Sequence, residues 1–238
     1  MSRSTPFIRG ESIDLCVPDD LDIEQWASWF NDPEITRYLD QGLFPHSPTQ
    51  QYDFLESLRQ NERFSVLIRE KQSHDLMGIV SLSTINFVRH SAQIAIVAPN
   101  LHKNAPLGPL EAVARVTEHG FETLGLRRIW AGQAWPGLSG WNQDLEVVGY
   151  RAEGFLRDGF IKGRTVQDVV RIAVHIDDYL ELKKSRGGTL WPGTDKMRRI
   201  LRRLPANNNS LAFEIARTIK RLHRKHAKFL TKIESEEN

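Results

Sequence analysis

A chain of 238 residues, 40% hydrophobic and 26% charged, is long enough for one large domain with its own core, alone or with an extension, and its composition excludes wholesale disorder. A single cysteine, Cys16, excludes an intrachain disulfide framework and a Cys-rich metal site, and it fits a reducing compartment. The net charge of +2 conceals an asymmetry: Lys183 to Asn238 hold 15 Lys/Arg against 5 Asp/Glu (net +10), and residues 1–182 hold 17 against 25 (net −8).

In chain order, Ile8 to Cys16 alternate in polarity and read as one strand. Pro18-Asp19-Asp20 breaks it, and Asp22 is placed to cap a helix over IEQWASWF. Trp26, Trp29 and Phe30 share one face of that helix, a spacing that more often packs into a core than binds a ligand. Asn31-Asp32-Pro33 ends it, and Pro33 to Leu39 reads as a second short helix with Pro at its first position. A third helix is expected from Thr49 to Asn61, capped by Thr49. Strands follow over Phe64–Arg69, Leu76–Thr84 and Ser91–Val97. The periodicity then predicts a helix over Leu110–Leu124 with Gly125 just past its end, and strands over Arg127–Ala134 and Val169–Ile176. Gly149 and Gly154 suit turns flanking a strand.

Between strand and helix lies His102-Lys103-Asn104-Ala105-Pro106-Leu107-Gly108-Pro109. A diphosphate needs convergent donors, and a loop feeding a helix N-terminus supplies amides and a favourable dipole. Each proline removes one such amide, leaving those of Ala105, Leu107, Gly108 and Leu110.

Three stretches, SAQIAIVAP, HKNAPLGPLEAVARVTEHGFETLGLRRIWAG and GYRAEGFLRDGFIKGRTVQDVV, resemble the acyl-CoA-binding half of the GNAT acetyltransferase superfamily, in its ribosomal-protein N-acetyltransferase (RimJ/RimL-like) branch. The string WFNDPEITRYL is similar to that branch's opening, and the resemblance spans roughly residues 5 to 178. It implies a strand that splays from its neighbour, so that Ile94, Ile96 and Val97 offer backbone to the pantetheine arm of acetyl-CoA. Lys103, Asn104, Ala105, Leu107, Gly108 and Asn142 then complete the cofactor site. The chain departs from the family's glycine-rich loop, with one glycine and two prolines in NAPLGP.

The resemblance places the acceptor beside Trp29 and Glu34. It also marks two absences: Gln93 stands where a carboxylate is common, and Leu145 stands where the tyrosine acid is common. Tyr150 reads as core. Ser139 and Asn142 are inexact stand-ins for an Asn-x-x-Ser motif. Asp158 is the candidate base or water-positioning residue, with a pairing to Arg157 or Arg171 as its structural alternative. His90 and His102 flank the strand and titrate near neutrality. The eight histidines lack metal-ligand spacing, so no metal is expected.

After Asp177 come an expected helix in DDYLELKKSRGG, a loop packing Trp191, a helix over KMRRILRRL capped by Asp195, and a linker from Pro205. Leu211 to Ile233 forms a long amphipathic helix with a Lys/Arg/His field opposite Leu211, Ile215, Ile219, Leu222 and Leu230. It either docks on the acidic body, binds RNA or an acidic partner, or lies on an anionic membrane.

The reading is an α/β fold: a mixed, mostly antiparallel central sheet flanked by helices over residues 1–178, and a basic helical C-terminal extension over 179–238. The expected function is acetyl transfer from acetyl-CoA to a primary amine, on a protein N-terminus, an amino sugar or another small amine. Its rival is a catalytically silent GNAT-like binding module whose tail serves a protein or RNA partner. The partners expected are the amine acceptor, a second copy of the chain, and an acidic or RNA partner for residues 183–238. The N-terminal stretch carries no long apolar run, no segment reaches the roughly 18 apolar residues of a membrane span, and a cytoplasmic setting is expected.

Overall fold

The computed structural model of the chain describes residues 5–58, 63–206 and 210–236. Alternating apolar residues build eight strands: β1 (Pro6–Arg9), β2 (Ile13–Cys16), β3 (Phe64–Glu70), β4 (Leu76–Asn86), β5 (Ser91–Val97), β6 (Arg128–Trp135), β7 (Arg151–Lys162) and β8 (Thr165–His175). They form one sheet in the order β1-β2-β3-β4-β5-β6-β8-β7. Every neighbouring pair is antiparallel except β5 and β6, which run parallel. A parallel pair needs a crossover, and α3 (Gly108–Glu122) supplies it. The mixed, mostly antiparallel sheet flanked by helices is the expected one.

Strand alternation sends side chains to both faces. Val66 and Ile68 of β3 join Leu110, Val113 and Val116 of α3 in the main core. Leu67, between them, faces the other way and packs with Leu76, Ile79, Trp26 and Trp29 of α1 (Ile23–Asn31). Covered on both faces, β4 buries eight consecutive residues from Leu76 to Ser83, as a central strand should.

Several local expectations are corrected. The first strand is a hairpin: Gly10 N–H donates to Ile13 O at 3.0 Å, and a Cβ at Gly10 would lie 2.4 Å from that same oxygen. The buried Glu111 carboxylate of α3 receives Glu11 N–H, Ser12 N–H and the Ser12 hydroxyl, which fixes the turn. No Gly-Asn or Pro-Gly pair announced it. Asp22 stands at the N-cap of α1 as expected, but its side chain makes no capping hydrogen bond there. Asp19 caps a preceding 3-10 turn, with Asp22 completing a capping box, and the buried Asp22 carboxylate also pairs with Arg69. Helix α2 (Pro48–Leu58) starts behind Ser47, whose hydroxyl and the Gln50 side chain bond each other's amides; Thr49 lies inside it. The expected end of that helix at Asn61 lies outside the described residues.

Residues 33–39 form successive turns rather than a helix, with the Asp32 carboxylate accepting from Glu34 N–H at 2.7 Å. Gly154 sits inside β7 at a register shift, while Gly149 makes its turn at φ +97°. Helix α4 (Ser139–Glu146) follows β6.

The extension is not separate from the core. Helix α5 (Ile176–Ser185) buries Tyr179, the following loop buries Leu190 and Trp191, and α6 (Thr194–Leu201) buries Met197, all in the main cluster. Gly193 rather than Asp195 is the N-cap of α6; Asp195 pairs with Arg198 inside its first turn. Trp191 Nε1 donates to Glu11 Oε2 at 2.9 Å, stitching this loop to the β1–β2 turn. Helix α7 (Leu211–Glu236) closes the chain. The asparagines 207–209 before it and the side chain of Ile233 lie outside the described residues.

Candidate active site

The site is made by a split in the sheet. β5 and β6 pair only at Ser91 with Arg128, Ala92 with Ile129 and Gln93 with Trp130. Beyond that point β5 stays with β4 as far as Val97 opposite Ile79, and β6 stays with β8 as far as Trp135 opposite Asp168. The two strands therefore diverge, and their facing edges are not closed by each other. A cleft of about 870 Å³ opens in the wedge, within the size range of small-molecule sites. Ile94 to Val97 form one wall and Trp130 to Ala134 the other, with Leu138, Trp141 and Leu145 from the α4 region and Glu34, Tyr38 and Asp40 from the 33–41 turns.

Of the residues expected from sequence, Ile94, Ile96, Val97 and Glu34 line this cleft. Lys103, Asn104, Ala105, Leu107 and Gly108 do not; the lining stops at Pro99, just before them. Their loop is occupied with itself. Ala105 N–H donates to His102 O at 2.9 Å and Gly108 N–H to Ala105 O at 2.9 Å, while Asn104 N–H faces His102 Nδ1 at 3.2 Å. Gly108 is small for packing, since a Cβ there would come within 2.9 Å of Met77 Cε and 3.0 Å of Ile13 Cγ2. The expectation that the Ala105 and Gly108 amides face a diphosphate is therefore corrected: both are spent in tightening the turn that starts α3.

The acceptor-side expectations fare differently. Trp29 is buried in the smaller core and does not line the cleft. Asp158 is exposed, outside the lining, at the β7 irregularity; its φ is +51° and its N–H donates to Asp168 Oδ1 at 3.0 Å. Asp168 organises the β7–β8 hairpin in this way. Among the described residues no ion pair joins Asp158 to Arg157 or Arg171. Ser139 opens α4 half-buried, its amide donating to Pro136 O at 3.0 Å, and it does not line the cleft either. Asn142 is buried beside the lining residue Trp141, and its Oδ1 has no hydrogen-bond partner.

Leu145 and Gln93, the two residues standing where the family often has a tyrosine and a carboxylate, both face the cleft. Tyr150 is fully buried and shares a 2.8 Å hydrogen bond with Thr117, and burial pushes its phenol well above the ordinary range. It is core.

Tyr38, Gln133 and Arg171 are among the cleft residues that the sequence reading did not place in the site. Tyr38 is, among the described residues, the one tyrosine in the lining, its ring 6.4 Å from that of Phe160. A Cβ at Gly137 would fall 2.7 Å from the Tyr38 hydroxyl, so the Pro136-Gly137 turn is what lets this side chain in. Gln133 of β6 is buried in the cleft wall, its Oε1 unpartnered. Arg171 of β8 stacks its guanidinium 3.9 Å over the Trp130 ring. No local pattern marks any of them, because strand register and the turns after β6 bring them together.

The geometry fits an extended, amide-bearing chain laid along an open strand edge, with apolar walls and an unsatisfied side-chain oxygen to receive an N–H group. At the rim stand two exposed carboxylates, Glu34 and Asp40.

Comparison with known proteins agrees. A family model described as "Acetyltransferase (GNAT) domain" matches residues 15–135. The fold is similar to that of spermidine N-acetyltransferase from Vibrio cholerae in complex with CoA and spermine, at TM-score 0.64 and 21% identity, over 72% of this chain and 99% of that one. It is also similar to mutant forms of the spermidine/spermine N-acetyltransferase SpeG from Vibrio cholerae (TM-score 0.62, 20% identity, 72% and 98% covered). A search of curated protein sequences gives no match.

Proposed function

This chain belongs to the acetyltransferase (GNAT) domain family, as an acetyl-CoA-dependent N-acetyltransferase, and from that premise we propose that its acceptor is a small polycationic amine. The observation that carries the acceptor reading is the charge of the segment bordering the cleft. Residues 19–40 hold seven Asp/Glu against the single Arg37, and Glu34 and Asp40 from that segment line the rim. A di- or polyammonium gains from such a rim, whereas a neutral amino sugar gains nothing. The spermidine acetyltransferase fold of the similar structures is in keeping with this reading.

Acetyl-CoA supplies an activated thioester, so alignment and proton handling are the protein's tasks. Ile94 to Val97 hold the arm of the co-substrate by their free strand edge, with Gln133 as a further acceptor for its amides. Lys103 and the amide of Leu107 remain for its diphosphate. In the reaction the amine nitrogen bonds to the acetyl carbon and the carbon–sulfur bond breaks. The bound ammonium first gives one proton to water held at the carboxylate rim to free its lone pair, a second leaves the same way as the amide forms, and Tyr38 donates a proton to the departing thiolate and is reprotonated from solvent. Neither Asp158 nor Ser139 enters this scheme.

Turnover with spermidine, a neutral primary amine and a peptide N-terminus, compared at fixed acetyl-CoA, tests the proposal. A higher kcat/KM for spermidine supports it. A preference for the peptide would instead put the chain in the ribosomal-protein branch, and acetyl-CoA binding without turnover on any amine would favour the silent binding module.

A further inference from the structure

Helix α7 begins on the protein and ends away from it. Ala212 is fully buried and the Phe213 ring meets that of Trp135 at 4.5 Å, against the sheet next to β7. Ile215 and Ile219 are half-buried. From Lys220 to Thr231 every residue is exposed, and these include Leu222 at 54%, Phe229 at 56% and Leu230 at 46%. The acidic body therefore receives only the first turns of the helix. The expectation that the whole stripe docks there holds for its beginning alone.

What remains is sharply two-sided. At 3.6 residues per turn, Ile215, Ile219, Leu222, Phe229 and Leu230 fall within an arc of roughly 100°. Arg217, Lys220, Arg221, Arg224, Lys225 and Lys228 occupy the opposite face, roughly 140° of arc, as one basic field. Over Leu211–Thr231 the single acid is Glu214, and it bonds Arg217.

A partner must cover apolar surface and neutralise cations along the same helix. Nucleic acid would do the second and leave the stripe in water. A second copy of the helix, stripe to stripe, would cover the apolar surface but leave both fields of six cations facing away and without counter-charge. An anionic bilayer does both, with acyl chains for the stripe and phosphate or carboxylate headgroups for the ammonium and guanidinium groups. The helix is about 10–12 Å across and the screening length is about 8 Å at physiological salt, so the surface acts most on the cations flanking the stripe and is largely screened from those on the far side. Lys220 and Lys225, at the borders of the stripe, can lay their stems along it and reach the headgroups. Among the described residues no helix is long and apolar enough to cross a membrane, so α7 would lie on the surface. We propose that the exposed part of α7 seats this protein on anionic phospholipid membranes.

The test is co-sedimentation of the full chain with vesicles of phosphatidylcholine alone, or with about one third phosphatidylserine replacing it. Binding to the anionic vesicles, weak on the neutral ones and reduced by high salt, is expected. The double variants Leu222→Ser/Phe229→Ser and Arg221→Glu/Lys225→Glu should each lower that binding by roughly tenfold or more, with unchanged thermal melting, because all four side chains are exposed. Equal binding by the apolar variant would overturn the proposal, leaving bare charge attraction. So would failure of the native chain to sediment. A vesicle-free dimer that Leu222→Ser/Phe229→Ser dissociates, or RNA binding that outcompetes the vesicles, would also overturn it.

Discussion

The Lys162 ammonium, at the end of β7, donates to the carbonyl of Thr36 at 2.6 Å across 126 residues of sequence. The same ammonium reaches Leu39 O at 3.2 Å and Gln41 O at 2.6 Å. All three of its protons are thereby used on one short segment. That segment is the run of turns carrying Glu34, Tyr38 and Asp40, which has no helix ladder of its own. Lys162 substitutes for the missing ladder and holds the acceptor wall against the β7–β8 hairpin.

Replacing Lys162 with Met should therefore act on the acceptor and spare the co-substrate. KM for the amine should rise several-fold while acetyl-CoA affinity, measured by calorimetry, stays within about twofold. Three charge-assisted bonds are lost, so thermal stability should fall by about 1–3 kcal/mol. An unchanged amine KM would show that the turns hold themselves.

Tyr38→Phe keeps the ring against Phe160 and removes only the hydroxyl. If that hydroxyl protonates the thiolate, kcat should drop by about 10²-fold or more with acetyl-CoA binding intact. Gly137→Ala should mimic it in part, because the new methyl would occupy the place of the tyrosine tip. Asp158→Asn should leave kcat within a few-fold, since its carboxylate lies outside the cleft. A large loss there with Tyr38→Phe active would reverse the two assignments.

The rim carboxylates are expected to act on binding. Glu34→Gln and Asp40→Asn should each raise KM for spermidine by roughly threefold to tenfold, an exposed charge interaction of about 1 kcal/mol. KM for a neutral amine should not move. The effect should shrink with added salt, and a salt-independent loss would point to altered folding of the turns instead.

The sheet was legible because burial on one or both faces writes itself into alternation; Ser91–Val97 was bounded as the structure has it. The hairpin at Gly10 was not legible, since the carboxylate that fixes it comes from Glu111, about 100 residues away. The cleft's walls could be anticipated from the resemblance around Ile94 to Val97. Its chemistry could not, because Tyr38, Gln133 and Lys162 owe their places to register and to long-range contacts. The loop from His102 to Gly108 misled for the opposite reason. Its spacing suggests free amides, but in the fold Ala105 and Gly108 have already spent theirs.

The extension's attachment has a pH signature. Glu122 of α3 accepts from the Tyr179 hydroxyl at 2.5 Å and from Lys183, both on α5. Those hydrogen bonds, with the Lys183 one foremost, hold the Glu122 carboxyl below its ordinary 4.5, and they outweigh the opposing effect of partial burial. A carboxyl depressed in the folded state binds its proton more readily when unfolded. Its contribution is therefore complete above about pH 4.5 and fades as pH falls through the lower folded value. Lys183→Met should raise that folded value, and Glu122→Gln should remove the group from the titration. Melting followed from pH 6 downward should then show a flatter acid limb for Glu122→Gln than for the native chain, with stability at pH 6 reduced in both variants. The native acid limb persisting in Glu122→Gln would assign it to other carboxylates, Glu70 and Glu153 being the next candidates, since hydrogen bonds and neighbouring cations hold both below the usual range.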